Sequence, residues 1–420
     1  MIWAGASFVA ALLLIAPGLP DLAKRICRVY GFYFSIAFVL RGALLAWLEP
    51  DPIQGSSFAL SSLAHAGYSR GLGEVMPFAM ASAFGFFVAL LATSRFLRPG
   101  QLRFGLTTST SAMVFGIGVA ARVAGLLFAD DATLARMGGV GQAICAAVLA
   151  GTVLGTDWRR TGVRLVVAMG FAEVLLSILS ASKTPVLTLL LLLYLDPHRG
   201  RVTIRAFLLG VGVVVGAFTF LQRLKPNANQ IEGENILAQA FFSIIGRLDG
   251  LYALAGAWQL GAGQYNPSGG MAGAALRAVT PGWLQSSTKE LAGGLWGINV
   301  YGVHNGVSYA EGLAGEGLAI GGVWGPLIWG LCAGVILASA LLLASSGNLG
   351  FQLAGLAFVA STVVYERGLL GQIEQIGSVV QAALATSVCL LVLGAARANR
   401  PVESRLEPHF RSGGKKKQSV

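Results

Sequence analysis

The sequence predicts an all-α polytopic integral membrane protein with about eleven transmembrane helices and one long extracytoplasmic loop that contains an amphipathic helix. Three observations lead to this fold class. The 420 residues are 55% hydrophobic and only 12% charged, whereas soluble domains carry about 25% charged residues. Long apolar runs recur along the whole chain. Every second short segment between these runs is basic, as expected for loops on the cytoplasmic side of a membrane.

The apolar runs mark the predicted transmembrane helices. They cover residues 1–19, 29–48, 76–94, 106–127, 137–155, 165–180, 184–195, 206–221, 319–344, 349–364 and 376–396. No basic segment precedes the first run, which is long enough to span, so we interpret it as a membrane helix and not as a signal peptide. The runs 165–180 and 184–195 meet at Pro185, so they form either two helices or one broken, re-entrant element.

The basic segments predict the orientation of the chain. They lie at residues 24–28, 95–103, 159–164, 199–205 and 397–417. The positive-inside rule makes all of them cytoplasmic, which puts the N-terminus on the outer side and the C-terminus in the cytoplasm. The formal net charge of +11 is therefore explained by orientation, and we predict no binding to nucleic acid.

The same pattern divides the chain into four parts. These are an N-terminal transmembrane bundle (1–221), a long outer loop region (222–318), C-terminal transmembrane helices (319–396) and a basic cytoplasmic tail (397–420). Long loops are usually functional. The stretch from Ile236 to Leu260 is amphipathic, so we expect a helix that lies at the membrane surface or dips into it. A short outer loop is predicted near 365–375.

Charged residues in the predicted spans are candidates for a site, because a charge in hydrocarbon costs at least about 2.5 kcal/mol. Arg41, Arg122 and Glu173 lie in spans. Each arginine either faces a cavity or extends its charged end to the outer interface, and we expect Glu173 to have an interhelical partner. Other cations on the predicted outer side suit an anionic lipid headgroup or are solvated surface charges. They include Lys183, Arg247, Arg277, Lys289 and Arg367.

Several classes of protein are excluded by what the sequence lacks. It has no Walker A motif, so we do not predict an ATP-driven pump, and its Gly116-Ile117-Gly118 lies in an apolar run and not in a dinucleotide-binding loop. It has no HExxH motif and no cluster of Cys and His at ligand spacing, so we predict no metal site and no cofactor.

The second half of the chain, about residues 180–370, contains an ordered set of short motifs. They are Ser182-Lys183-Thr184 before an apolar run, Arg247 in the amphipathic stretch, Pro281 followed by Lys289, and Tyr309-Ala310-Glu311 followed by Gly317 and an apolar span. Their order resembles that in the Wzy-type polymerases of bacterial O-antigen, capsule and exopolysaccharide. The last motif is similar to the family's Gly-Glu…Asn-Phe-Gly element. It departs from that element at Ala310 and at Gly315-Glu316, so the counterpart of the family's glutamate is either Glu311 or Glu316.

This resemblance implies a glycosyltransferase of the bacterial inner membrane, with its N-terminus in the periplasm. Such an enzyme joins undecaprenyl-diphosphate-linked oligosaccharides on the periplasmic face and needs neither nucleotide nor bound metal. Side-chain cations would then neutralise the diphosphate. The candidates are Arg247, Arg277, Lys289 and Arg367, followed by Lys183 and Arg122. Membrane lipid is a further expected partner. Whether a chain-length regulator protein also binds is left undecided by the sequence.

A general base must take the proton of the attacking sugar hydroxyl. Glu311 is the first candidate, and His304 and Asp249 follow. The aromatic residues of the outer loop are candidates for stacking on sugar rings, although Trp and Tyr are also enriched at membrane interfaces. They are Trp283, Trp296, Tyr301 and Tyr309.

Two other functions fit the same sequence. One is an O-antigen ligase-like enzyme that transfers a lipid-linked glycan to another acceptor. The other is a transporter or flippase of lipid-linked glycans, in which Arg41, Arg122 and Glu173 line a path. The long outer loop and the lack of a detectable internal repeat favour an enzyme.

Overall fold

The computed structural model describes eleven continuous ranges of the chain. They are residues 21–47, 68–94, 106–128, 132–155, 162–180, 184–196, 250–267, 270–280, 292–301, 311–361 and 363–398, together with Gly5, Phe8, Gly212 and Gly216. Every regular element within these ranges is a helix. The all-α class predicted from the sequence is therefore confirmed for the described part of the chain.

Fifteen α-helices, numbered here in chain order, make up this part. The first seven are α1 (Asp21–Phe34), α2 (Arg41–Trp47), α3 (Tyr68–Ser94), α4 (Thr108–Leu127), α5 (Ala132–Gly155), α6 (Val163–Leu179) and α7 (Thr184–Leu195). The others are α8 (Gly250–Leu260), α9 (Gly270–Val279), α10 (Ala292–Tyr301), α11 (Leu313–Gly321), α12 (Gly325–Ala344), α13 (Leu349–Val359), α14 (Val363–Glu366) and α15 (Leu369–Ala398). A π-helical segment, Ser35–Leu40, joins α1 to α2, and a 3₁₀ turn, Gly322–Trp324, joins α11 to α12.

Six of the described helical stretches are long and apolar enough to cross a membrane. They are Leu22–Trp47, Arg70–Thr93, Thr108–Leu127, Met137–Gly155, Leu313–Ala344 and Leu369–Leu391. Large apolar side chains such as Phe171, Leu384 and Leu391 are exposed, which is unfavourable in water. These features define an all-α membrane protein.

The number of spans remains a prediction. The predicted spans 165–180, 184–195 and 349–364 correspond to α6, α7 and α13, which have only 17, 12 and 11 residues. The last two rise about 18 and 16 Å along their axes, less than the roughly 30 Å of a hydrocarbon core. The predicted spans 1–19 and 206–221 lie outside the described residues, apart from the four single glycine and phenylalanine positions.

The first described span, Leu22–Trp47, packs antiparallel to α3. Tyr30 of α1 stacks on Phe86 in the second half of α3, with ring centroids 4.1 Å apart. Gly42 of α2 packs against Leu72 at the beginning of α3. The beginning of the first span therefore lies beside the end of α3.

Helix α12 packs parallel to α3 along a contact lined by glycine. Gly330 lies against the backbone of Ser82, and Gly334 lies against the backbone of Phe86. Residue numbers thus rise together along the two helices. Small residues allow this close approach of two backbones, which is typical of helix contacts in membranes.

One end of the bundle is formed by the beginning of α1 and the end of α7, where Arg25 Nη1 donates a hydrogen bond to the Tyr194 carbonyl oxygen at 3.0 Å. Because α3 is antiparallel to the first span and parallel to α12, both α3 and α12 also end here. We call it the basic end, since the basic segments 95–103 and 199–205 follow α3 and α7 in the sequence. The opposite end is called the far end.

The apolar run Leu313–Ala344 is a helical hairpin and not one straight helix. Residues eight apart in a straight α-helix are separated by about 12 Å along the axis, yet Gly317 and Gly325 are in backbone contact. The turn is at Gly322, whose φ of 66° is a conformation that glycine adopts without strain. Helix α11 therefore runs toward the far end and α12 runs back. The predicted boundary between 318 and 319 falls within α11.

Parts of the long outer loop region fold into the bundle beside this hairpin. Helix α8 is almost entirely buried, and it begins at Gly250 against Phe38 of the first span. After α8 the chain runs beside α11, because the Tyr265 N–H donates to the Ala319 carbonyl oxygen at 2.9 Å. Helix α10 runs the opposite way, with Tyr301 beside Tyr252 near the beginning of α8. This region thus places helices next to the foot of α11.

We expect Gly330→Ala to lower the free energy of unfolding by about 1–3 kcal/mol, because overpacking a close contact forces a backbone shift. A Cβ atom at Gly330 would overlap the Ser82 carbonyl oxygen. Thermal unfolding in detergent measures the loss. The matched control is Gly116→Ala on α4, where a Cβ atom meets nothing within 4 Å, and equal stabilities of the two variants would contradict the glycine contact.

Candidate functional site

Glu311 lies just before the beginning of α11. The next residue, Gly312, is the N-cap residue of this helix and has a φ of 60°. The residue is only 1% exposed. By distance and angle, neither carboxylate oxygen accepts a well-formed hydrogen bond from a described residue, although the backbone N–H groups of Glu311 and Gly368 are near enough to lower the pKa of its carboxyl. A buried polar group without partners is costly unless it has a functional reason. Glu311 is therefore the first residue of the candidate site.

The electrostatic surroundings of Glu311 combine burial with one cation and a second acid. Glu311 precedes the apolar run Leu313–Ala344. Burial raises the pKa of the Glu311 carboxyl above its usual value of 4.5; the positive charge of Arg367 opposes this rise, and the negative charge of Glu374 adds to it. Burial therefore favours the neutral form of this carboxyl, and the positive charge of Arg367 favours its ionised form. Any further cation near the site would act in the same direction as Arg367.

Arg367 lies at the bend between α14 and α15. Its Nη1 is 3.8 Å from Glu374 Oε2, and these side chains are 18% and 15% exposed. Its aliphatic stem lies over Gly371, where a Cβ atom would approach Arg367 Cβ and Cδ to within 2.9 and 2.8 Å. The guanidinium is therefore held over the first turn of α15 while remaining partly accessible.

Glu316 lies on α11, five residues after Glu311, and is fully buried. Unlike Glu311, it accepts hydrogen bonds. The indole Nε1 of Trp329 donates to Oε1 at 2.8 Å, and the backbone N–H of Leu370 donates to Oε1 and Oε2 at 3.1 and 3.3 Å. The two glutamates are close enough for the charge of Glu311 to act on Glu316, but only Glu316 is engaged.

These residues form what we call the carboxylate cluster: Glu311, Glu316, Glu374 and Arg367. The cluster holds three acids and one arginine, so its described part is acidic. This differs from the cationic site that the sequence predicts. Arg277 belongs to α9, which packs against α15, and only its backbone is described. The predicted site residues outside the described ranges are Lys183, Arg247, Asp249, Trp283, Lys289, His304 and Tyr309.

The prediction of an outer loop near 365–375 is wrong, because most of this segment is helical. Glu366 and Gln372 are buried, and α15 begins at Leu369. The Gln372 Nε2 donates to the Val364 carbonyl oxygen at 3.1 Å and ties α15 to α14. The polar residues of this segment lower its hydropathy, so it resembles a loop in the sequence. In the fold they pair with one another inside the bundle.

Arg122 and Glu173 form a second buried charged group, between α4 and α6. Arg122 Nη1 donates to Glu173 Oε2 at 2.8 Å, and both side chains are at most 6% exposed. The interhelical partner expected for Glu173 is therefore confirmed. The pair neutralises the charge of Arg122, which weakens its case as a ligand of diphosphate.

Two other predicted residues are buried in the bundle. Tyr301 is 5% exposed; its hydroxyl accepts a hydrogen bond from Trp296 Nε1 at 3.1 Å, and its ring lies 4.7 Å from that of Tyr252. This is the position of a packing residue. Arg41, directly after the π-helical segment, is fully buried and does not extend to the surface.

The sequence did not identify Glu374, Trp329 or Gly371 as site residues. Glu374 carries the only usable signal, because it is an acidic residue seven positions after Arg367 in an apolar part of the sequence. The roles of Trp329 and Gly371 depend on the helical hairpin and on the bend before α15, which hydropathy does not reveal.

Comparison of the chain with protein-family models, with curated proteins and with solved structures gave no match. The class of the protein, an all-α membrane protein with a buried carboxylate cluster, therefore comes from the fold itself.

Proposed function

We propose that the protein is a glycosyltransferase that joins undecaprenyl-diphosphate-linked oligosaccharide units into a polysaccharide on the periplasmic face of the bacterial inner membrane. The observation that carries the proposal is Glu311, a buried carboxylate whose oxygens accept no well-formed hydrogen bond from a described residue and which lies within the field of Arg367. A proton acceptor beside a cation is the pair that this transfer needs. The ordered motifs between 180 and 370 support the same reaction.

In the proposed reaction, a sugar hydroxyl of one lipid-linked unit attacks the anomeric carbon of a glycan on undecaprenyl diphosphate. A new glycosidic C–O bond forms, the bond between carbon and diphosphate oxygen breaks, and the diphosphate leaves with the electron pair. Glu311 takes the hydroxyl proton, and His304 and Asp249 are the other candidates for this role. Arg367 and the outer-loop cations Arg247, Arg277 and Lys289 meet the charge of the diphosphate, with Lys183 and Arg122 as weaker candidates. No cofactor takes part.

In this proposal the partly accessible Arg367 binds the diphosphate, and the buried Glu311 takes the proton. Arg367 is the more exposed of the two, so it is the group that an incoming diphosphate meets first. The Glu311 carboxyl is shielded from water, which strengthens its interaction with nearby charges. The positive residues of the outer loop would then offset the negative charge of the carboxylate cluster when substrate binds.

A second candidate function is transport of a lipid-linked glycan. The observation that favours it is the interruption between α13 and α15, where charged residues lie inside the bundle, since broken helices of this kind form binding sites in transporters. An O-antigen ligase-like enzyme is a third candidate, which differs from a polymerase only in its acceptor.

The deciding experiment incubates purified protein in lipid with a lipid-diphosphate-linked oligosaccharide from its own organism, without nucleotide or added metal. Products are resolved by size. A ladder at repeat-unit spacing supports the polymerase. Transfer of single glycans, seen only after an acceptor molecule is added, supports the ligase. Unchanged glycan that crosses the bilayer of a proteoliposome supports transport and contradicts the proposal.

We expect Arg367→Gln to move the acid limb of the pH–rate profile upward by about one pH unit. A base works only in its deprotonated form, and Arg367 lowers the raised pKa of Glu311. Loss of the arginine raises that pKa further, so transfer requires a higher pH. The measurement is the transfer rate at saturating substrate between pH 5 and 9, and an unshifted limb would separate Arg367 from Glu311.

A further inference from the structure

Glu316 connects three parts of the fold through one carboxylate. It belongs to α11, it receives the indole N–H of Trp329 on α12 at 2.8 Å, and it receives the backbone N–H of Leu370 on α15 at 3.1 Å. Gly368 packs directly against its carboxylate, so that a Cβ atom there would overlap Glu316 Oε2. The fit leaves the carboxylate little freedom to move.

The bond to Leu370 fixes where α15 begins. The first N–H groups of a helix have no partner within the helix, and a carboxylate at this end is stabilised by the helix dipole. Leu370 is the second residue of α15, so Glu316 caps this helix from outside. Arg367 lies three residues before the capped N–H, and Glu374 lies one turn after it.

Glu311, which precedes α11, and Glu316, which lies on it, thus have different surroundings. The oxygens of Glu316 accept well-formed hydrogen bonds from N–H donors on two other helices, whereas those of Glu311 accept none of that quality from a described residue. An acid whose acceptors are already occupied is poorly suited to take a proton from a substrate. Its value lies in what it holds in place.

We propose that Glu316 is a positioning residue, whose carboxylate anchors the beginning of α15 and thereby holds the bend that carries Arg367 against Glu311. The inference rests on the proposed role of Glu311 as the base. It assigns different tasks to the two glutamates that the sequence leaves as alternatives. Among the described residues, the charged groups that act on Glu311 are Arg367 and Glu374, and Glu311 in turn acts on Glu316.

The test compares Glu316→Ala with Glu316→Gln. Neither alanine nor glutamine has an ionisable side chain, so the two variants change any direct electrostatic effect on Glu311 equally. Only glutamine keeps an oxygen that can accept the N–H groups of Leu370 and Trp329. We expect the acid limb of the pH–rate profile of Glu316→Ala to lie about one pH unit above that of Glu316→Gln. A merely structural role lowers the rate at every pH and leaves the limb in place.

The alanine and glutamine variants of Glu316 are also compared in an Arg367→Gln background, which completes a double-mutant cycle. If Glu316 acts through Arg367, the difference between the alanine and glutamine variants disappears once the arginine is gone. Identical pH profiles of the two variants in the presence of Arg367 would overturn the inference, as would a difference that persists without it.

A second variant keeps the test decisive if Glu316→Ala does not fold. Trp329→Phe removes one N–H donor and leaves all charges in place, so its acid limb should lie above that of the unaltered protein. An unshifted limb overturns the inference. An unaltered protein that makes no product from the correct substrate would instead refute the proposed function, so the two failures are distinguishable.

Discussion

Glu311→Gln is expected to lower the rate of glycan transfer by about 10²-fold to 10⁴-fold, the usual contribution of a positioned general base. Glutamine has nearly the same shape as glutamate but cannot take the hydroxyl proton. The native carboxylate accepts no well-formed hydrogen bond from a described residue, and glutamine keeps an oxygen that can face the same N–H groups, so the yield of folded protein should be close to that of the unaltered protein. The measurement is the initial rate of ladder formation by purified protein.

The matched control is Glu74→Gln. Glu74 is 40% exposed, and its Oε1 is 3.6 Å from Nε of Arg70, one turn earlier on α3. Exposed pairs of this kind contribute only about 0–1 kcal/mol, so both the transfer rate and the stability should stay close to those of the unaltered protein. If Glu311→Gln retained full activity, the base would have to be sought at His304 or Asp249.

Arg122→Ala is expected to lower the free energy of unfolding by about 3–5 kcal/mol, because it leaves the Glu173 carboxylate buried without its cation. The pair joins α4 to α6 at 2.8 Å, so its loss should also loosen the contact between these helices. Unfolding in mixed detergent, followed by circular dichroism, measures the effect.

The double variant Arg122→Leu with Glu173→Leu separates charge from shape. Both charges are gone, so the stability should return to near that of the unaltered protein, since apolar replacements of buried ion pairs are often neutral. If Arg122 served the diphosphate instead, its alanine variant would lose transfer activity and keep its stability. That outcome would restore Arg122 to the substrate site.

Hydropathy predicts the long helices well and the interrupted ones poorly. Helices α4 and α5 lie close to the apolar runs 106–127 and 137–155, whereas α3 extends the run 76–94 by eight residues toward the N-terminus, through Arg70 and Glu74. The hairpin of α11 and α12 is hidden, since the turn at Gly322 is itself flanked by apolar residues. A transfer scale measures how apolar a stretch is and carries no information about where it reverses.

The residues of the candidate site are likewise predicted only in part from the sequence. Glu311 and Arg367 are identifiable from sequence as charged residues in an apolar half of the chain, and the structure places Glu311 within the field of that arginine. Their separation by 56 positions gives no sign of this proximity. The task of Glu316 depends on three helices meeting, so it becomes visible only when Trp329 and Leu370 are found beside its carboxylate.

The pairing of α10 with α11 also bears on how the sidedness of the chain is counted. Helix α10 runs inward from the far end, and α11 runs back toward that end. These two helices together therefore add no net crossing of the bundle. A reporter fused after Val420 tests the prediction from the basic segments that the C-terminus is cytoplasmic.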